Sequence, residues 1–199
     1  MNKVRLLLPI YILIGLAACT SNDNAEQTKF FNGTNNTGIE KQIDEQPAKT
    51  IIDFLKWYRD HQTIQGGLVN NASNDKYDST KYYSVNYEAT EKYLTDLKTT
   101  GFISPKYIDK WREYFKKCEK NFEANPSNDG PPEGFEYDFV MLSQETEDNL
   151  KDLEKTQITD SKISENTSVV NLHFINGDNL QYRLTKTNDK WLIDDIERK

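Results

Sequence analysis

Asp138 and His173 are the two residues whose types could form an acid–base pair, an imidazole oriented by a carboxylate. Asp138 stands between Tyr137 and Phe139, shortly before Gln144. Two readings are open for it. As a pocket carboxylate it would accept hydrogen bonds from a ligand. As a cap it would satisfy orphan amides at the start of a helix and suit the helix dipole. The cap is the expectation, with a pocket nearby lined by Trp57, Tyr58 and Trp111. Gln144 suits either role. His173 falls on the face opposite Val170, Leu172 and Phe174. It either lines the same pocket or faces solvent as an ordinary polar strand residue, and solvent is the expectation. No Ser or Cys nucleophile can be placed beside it, so a non-enzymatic role is favoured.

The remaining reactive types offer little. Two histidines exclude a three-His zinc site and disfavour a Cys/His cluster. Asn125, Ser127, Asp129, Gly130 and Glu136 fall in the order of a calcium loop, but Asn holds the first position and Pro131-Pro132 interrupts the middle. The expectation is a Pro-stiffened surface loop, with no metal and no cofactor. Cys118 lies on an apolar helical stripe, where a thiol behaves as a small buried hydrophobe rather than a nucleophile.

Cys19 carries a different chemistry. It closes Leu16-Ala17-Ala18-Cys19, preceded by Lys3, Arg5 and an apolar run from Leu6 to Ile14. That is the three-part layout of a secretory signal, too short to span a bilayer core. The run resembles the lipobox of bacterial lipoproteins, which implies a diacylglyceryl thioether on Cys19, removal of residues 1–18, and attachment to a membrane through the acyl chains. The expected location is the bacterial cell envelope. Thr20 rather than Asp follows the cysteine, so the outer membrane is favoured over the inner one. Residues 19–47 are polar, with few large apolar side chains, and read as a flexible tether. A single domain of about 150 residues, 48–199, follows.

The chain has 25 Lys+Arg against 32 Asp+Glu, a net charge of −7. Removing Lys3 and Arg5 with the signal leaves 23 against 32, or −9. An acidic protein gains nothing from counterion release on nucleic acid, so DNA and RNA are not expected partners.

The elements that would position these residues are readable. Ile51, Leu55 and Tyr58 mark a helix over 48–63, ended at Gly66-Gly67. Asn86 caps a second helix with Tyr87, Thr90, Leu94 and Leu97 on one side and Gly101 after its end. Ser104-Pro105 starts a third, in which Ile108, Trp111, Phe115, Cys118 and Phe122 recur at spacings of three and four. Residues 145–148 suggest a further helical turn. The period then becomes two. Val170/Leu172/Phe174 and Leu180/Tyr182/Leu184 alternate around Asn176-Gly177, Trp191 to Ile196 forms the last strand, and 154–164 adds one more. Some of Tyr82, Tyr83 and Tyr87 are expected to face outward. The class is α+β, about three N-terminal helices packed on a curved antiparallel sheet.

Phe54-Leu55-Lys56-Trp57-Tyr58, Phe102-Ile103-Ser104-Pro105, Tyr137-Asp138 with Gln144, and the ending Trp191-Leu192-Ile193-Asp194-Asp195-Ile196 resemble, in their order, a family of small exported bacterial lipoproteins of unknown function. That family has a nuclear transport factor 2-like (cystatin-like) cone. The resemblance implies a fold and a location, not a reaction. The expected function is a lipid-anchored binding module for a small molecule, glycan or protein of the envelope. An envelope inhibitor or immunity protein against a toxin or hydrolase is the alternative.

Overall fold

Ser104 and Pro105 begin the longest helix as their types require. A computed structural model describes residues 46–72 and 78–199. In it the Ser104 Oγ accepts from the Tyr107 N–H at 3.3 Å, and Pro105 fills the first helical position, where no amide is needed. This helix, α3 (Pro105–Ala124), buries Ile108, Trp111, Phe115, Cys118 and Phe122 along one face. Helix α2 (Tyr87–Thr99) starts where the Asn86 side chain accepts from the Ala89 N–H, and Gly101 follows its end with φ +74°.

Helix α1 runs Gln46–Arg59, shorter at its C-terminal end than its apolar pattern suggests. Asp60 and His61 donate backbone hydrogen bonds to the carbonyls of Trp57 and Tyr58, tightening the last turn. A 3-10 turn, Gln62–Gln65, then reverses the chain. A fourth helix, α4 (Thr146–Lys151), uses the acidic stretch. Among the described residues the helices therefore fall between 46 and 155, toward the middle of the numbering rather than at its N-terminal end.

Two strand systems follow different logic. The strands β1 (Val69–Asn70) and β2 (Ser84–Val85) pair antiparallel and bury Val69 and Val85. The strands β3 (Gln157–Ser164), β4 (Thr167–His173), β5 (Asn179–Thr187) and β6 (Lys190–Arg198) form a sequential antiparallel meander in the order β3-β4-β5-β6. Asn188 and Asp189, both at positive φ, make the two-residue turn that a right-twisted hairpin favours. Val170, Leu172, Leu180, Tyr182, Leu184, Trp191, Ile193 and Ile196 form the buried face. The spacing breaks between Ile193 and Ile196 because the register shifts there, opposite Arg183/Leu184. The core is continuous from this face to α1, α2 and α3.

The described residues all fall in one compact unit, Thr37–Lys199. The expected signal peptide, the lipidation site Cys19 and most of the 19–47 tether lie outside the described residues. Among the described residues no helix is long and apolar enough to cross a membrane. Two of the three tyrosines expected in part to face outward do so, although the spacing sets Tyr87 with the apolar side of α2. Tyr87 is 46% exposed, because the buried stripe of α2 runs through Thr90, Tyr93, Leu94 and Leu97 instead. Tyr83 is buried, its hydroxyl donating to the Gly130 carbonyl at 2.6 Å, whereas Tyr82 is 61% exposed.

Candidate functional site

Asp138 caps a turn, not a helix. Its Oδ1 accepts from the N–H groups of Val140 (2.9 Å) and Met141 (2.6 Å), and the next helix does not begin until Thr146. The other oxygen, Oδ2, accepts the phenol hydrogen of Tyr58 from the buried side of α1. Gln65 grips the same turn from outside, donating to the Tyr137 carbonyl (3.1 Å) and accepting from the Phe139 N–H (2.9 Å). Burial pushes the Asp138 carboxyl above the usual carboxylate range, against the pull of these three donors. Burial, with the neighbouring Asp138 carboxylate, pushes the Tyr58 phenol far above its ordinary value, so it stays protonated and donates.

That anchored turn sets the backbone conformation at Leu142. The Leu142 N–H donates to the Asp138 carbonyl at 2.7 Å, and the Asp138 N–H to the Ser143 carbonyl at 3.0 Å. Leu142 is thereby held at φ +52°, a left-handed conformation that costs a non-glycine residue on the order of 1 kcal/mol. Its half-buried side chain lies in a groove of about 520 Å³ between α3 and the end of β6. Trp111, Tyr114, Tyr137 and Ile196 complete the apolar lining. The groove opens broadly to solvent, and Lys110, Lys117 and Arg198 stand on its rim with Glu113 and Glu197. Most of these charges are already paired: Lys110 with Asp195, Arg198 with Asp178, Glu197 with Arg183, Glu113 with Lys116.

The aromatic support under the groove is dense. Phe139 is fully buried, and its ring lies 4.9 Å from Trp111, 5.4 Å from Phe115, 5.5 Å from Phe135 and 5.5 Å from Tyr137. Tyr114 and Tyr137 share a hydroxyl contact of 3.1 Å, and Tyr114 donates to the Gly134 carbonyl at 2.8 Å. A Cβ at Gly134 would come within 2.9 Å of the Tyr114 oxygen and 3.0 Å of the Cys118 sulfur, at φ +86°, so only glycine fits. Burial also pushes the Cys118 thiol up, away from the reactive thiolate.

Of the six residues expected to line a pocket, the structure joins Tyr58 to Asp138 directly and packs Trp111 on the ring of Phe139, the residue next to Asp138. Trp57 stacks on His61 at 4.5 Å. Gln144 is exposed. His173 is on the outer sheet face, its Nδ1 2.9 Å from the Asn179 Oδ1, with no hydrogen bond to Asp138. The residues of the 125–136 loop turn to their own backbone: Asp129 accepts from the Gly130 N–H and Glu136 from the Gly134 N–H. Among the described residues no group of three or more His, Cys, Asp or Glu is placed to hold a metal ion. Reading the sequence missed Gln65, Tyr114, Leu142 and Ile196.

Known proteins add little to this geometry. No family model matches the chain. No characterised protein matches it either. Among solved structures, a chain of the type VI native effector–immunity complex Tae3–Tai3 from Ralstonia pickettii is similar over 78% of this chain and 97% of its own, with 14% identity and a TM-score of 0.46. A selenomethionine form of that complex gives 15% identity and a TM-score of 0.40, over 77% of this chain and 96% of its own. Likeness at that level assigns no function.

Proposed function

We propose that this chain is a non-enzymatic binding module of the bacterial cell envelope, anchored through an acylated Cys19, that holds a protein partner in the α3–β6 groove. The groove is the observation that carries this reading. Small-molecule sites are concave and enclose most of their ligand. Here the floor is shallow, aromatic and open, with charges at the rim, which is the composition of a protein interface. The engagement of His173 with Asn179 rather than Asp138 supports a role without catalysis. The bulges in β3 and β6, which bend strands, and the helices on the apolar face support the nuclear transport factor 2-like cone. The acidic excess supports a basic toxin or hydrolase as the partner, which would make the module an envelope inhibitor.

The experiment is photocrosslinking in cells grown with labelled palmitate. A photoreactive residue at Lys117, on the groove rim, is expected to give one discrete protein adduct on palmitate-labelled chain. The same residue at Arg183, on the outer sheet face, is expected to give none. Cys19→Ala is expected to lose the label and the membrane fraction together. Equal adducts from both positions would contradict the groove, and full membrane retention of Cys19→Ala would contradict the anchor.

A further inference from the structure

The four-stranded sheet has two edges, and they are treated differently. At β6, Phe102 and Ser104 cover the edge by exchanging hydrogen bonds with Ile193, and the Asp195 carboxylate takes the Ile196 N–H. Among the described residues β3 pairs with β4 alone. Eight residues, Gln157–Ser164, run along that edge, mostly exposed, with Ile163 37% exposed. An uncovered edge is a template for another strand.

We propose that β3 pairs with β3 of a second copy of this chain, antiparallel about a two-fold axis at Ser161, to make one continuous eight-stranded sheet. The backbone parity fits. Ser164 and Thr167 close a two-residue turn and so exchange their hydrogen bonds across the hairpin. Counting back, Lys162 and Asp160 also turn their amides toward β4, which leaves those of Ile163 and Ser161 pointing outward. A two-fold at Ser161 then closes a ring of two backbone hydrogen bonds on the axis itself.

The charges select this register. Asp160 and Lys162 sit on the same sheet face, their side chains 3.2 Å apart within one chain and both exposed. With Ser161 opposite its copy, each Asp160 faces the Lys162 of the second chain, twice over. Moving the axis to Asp160 or to Lys162 would set like charges face to face, which is unfavourable between paired strands. A single lysine guards an edge against pairing; an aspartate two residues before it makes the same edge complementary to itself. The register shift at Ile158/Asp160 keeps the paired stretch short, so the association is of modest strength.

Sedimentation equilibrium from micromolar to millimolar protein tests this on four chains. Wild type is expected to dimerise with concentration. Lys162→Glu and Asp160→Lys each convert both cross-pairs to like charges and are expected to weaken the dimer about 10-fold or more. The exchanged double variant, Asp160→Lys with Lys162→Asp, is expected to restore it. Both side chains are exposed, and circular dichroism checks that each variant is folded. A wild type that stays monomeric, single variants that associate as well as wild type, or a double variant that does not recover would each overturn the proposal.

Discussion

Asp138→Ala is expected to destabilise the domain by about 3–5 kcal/mol, because it takes the acceptor from three donors, of which only the Tyr58 phenol keeps an alternative, the Gln65 Oε1 at 3.4 Å, and a buried donor left unsatisfied costs about 1–3 kcal/mol. Those donors are the N–H groups of Val140 and Met141 and the phenol of Tyr58, all on fully buried residues. Asp138→Asn keeps the two amides satisfied through its carbonyl oxygen and offers its amide to the Tyr58 oxygen, so its cost at low pH is expected to be about 1 kcal/mol or less. The difference between Asn and wild type depends on pH, with a definite sign. The native carboxyl titrates above its unfolded value of about 3.9. Between those values the unfolded chain has released its proton and the folded chain has not, so wild type loses stability as pH rises through the native pKa. The Asn variant has no such loss. Thermal melts from acid to neutral pH should show it gaining on wild type across that window and then holding level. Wild type gaining on Asn instead would mean that the three donors outweigh burial.

Phe139→Ala carries the other large effect, about 3–5 kcal/mol, the loss of a buried aromatic plus the cavity it leaves. The cavity would open between Tyr93, Trp111, Phe115 and Tyr137, whose rings surround it at 4.9–6.3 Å. Phe139→Leu refills much of that space and is expected to cost well under half as much. Urea denaturation measures both. Equal small losses would show that the aromatic layer repacks freely and does not support the groove.

What could be read from the sequence divides along contact range. Helices α2 and α3 were legible because their signals are local: Asn86 and Ser104 cap within three residues, and the stripe from Ile108 to Phe122 repeats at helical spacing. The β4–β5–β6 meander was legible from period two and from Asn176-Gly177. Asp138 stood out by its neighbours, but its role did not. Its partner Tyr58 is 80 residues away, and the Gln65 contacts span 72 and 74 residues. No local rule reaches that far. His173 faces outward as its alternation with Val170, Leu172 and Phe174 implies, because a face is a local property even where the residue's partners are not. Leu142 gave no signal because its left-handed backbone is imposed by the turn and runs against the preference of leucine. Ile196 was hidden by the register shift, although the three-residue step from Ile193 was its trace.

Leu142→Gly tests most directly whether the groove, held open by the Asp138 turn, is a binding surface rather than an incidental hollow in the core. Glycine relieves the left-handed strain, about 1 kcal/mol, and gives up the contacts of a side chain that is only half-buried. The variant is therefore expected to melt within about 1 kcal/mol of wild type or above it. Its adduct from a photoreactive residue at Lys117 should fall about 10-fold or more, as for loss of an apolar anchor at an interface. A Leu142→Gly protein that is destabilised by about 2 kcal/mol or more and still crosslinks as wild type does would contradict the account, because Leu142 would then be serving the core and not a partner.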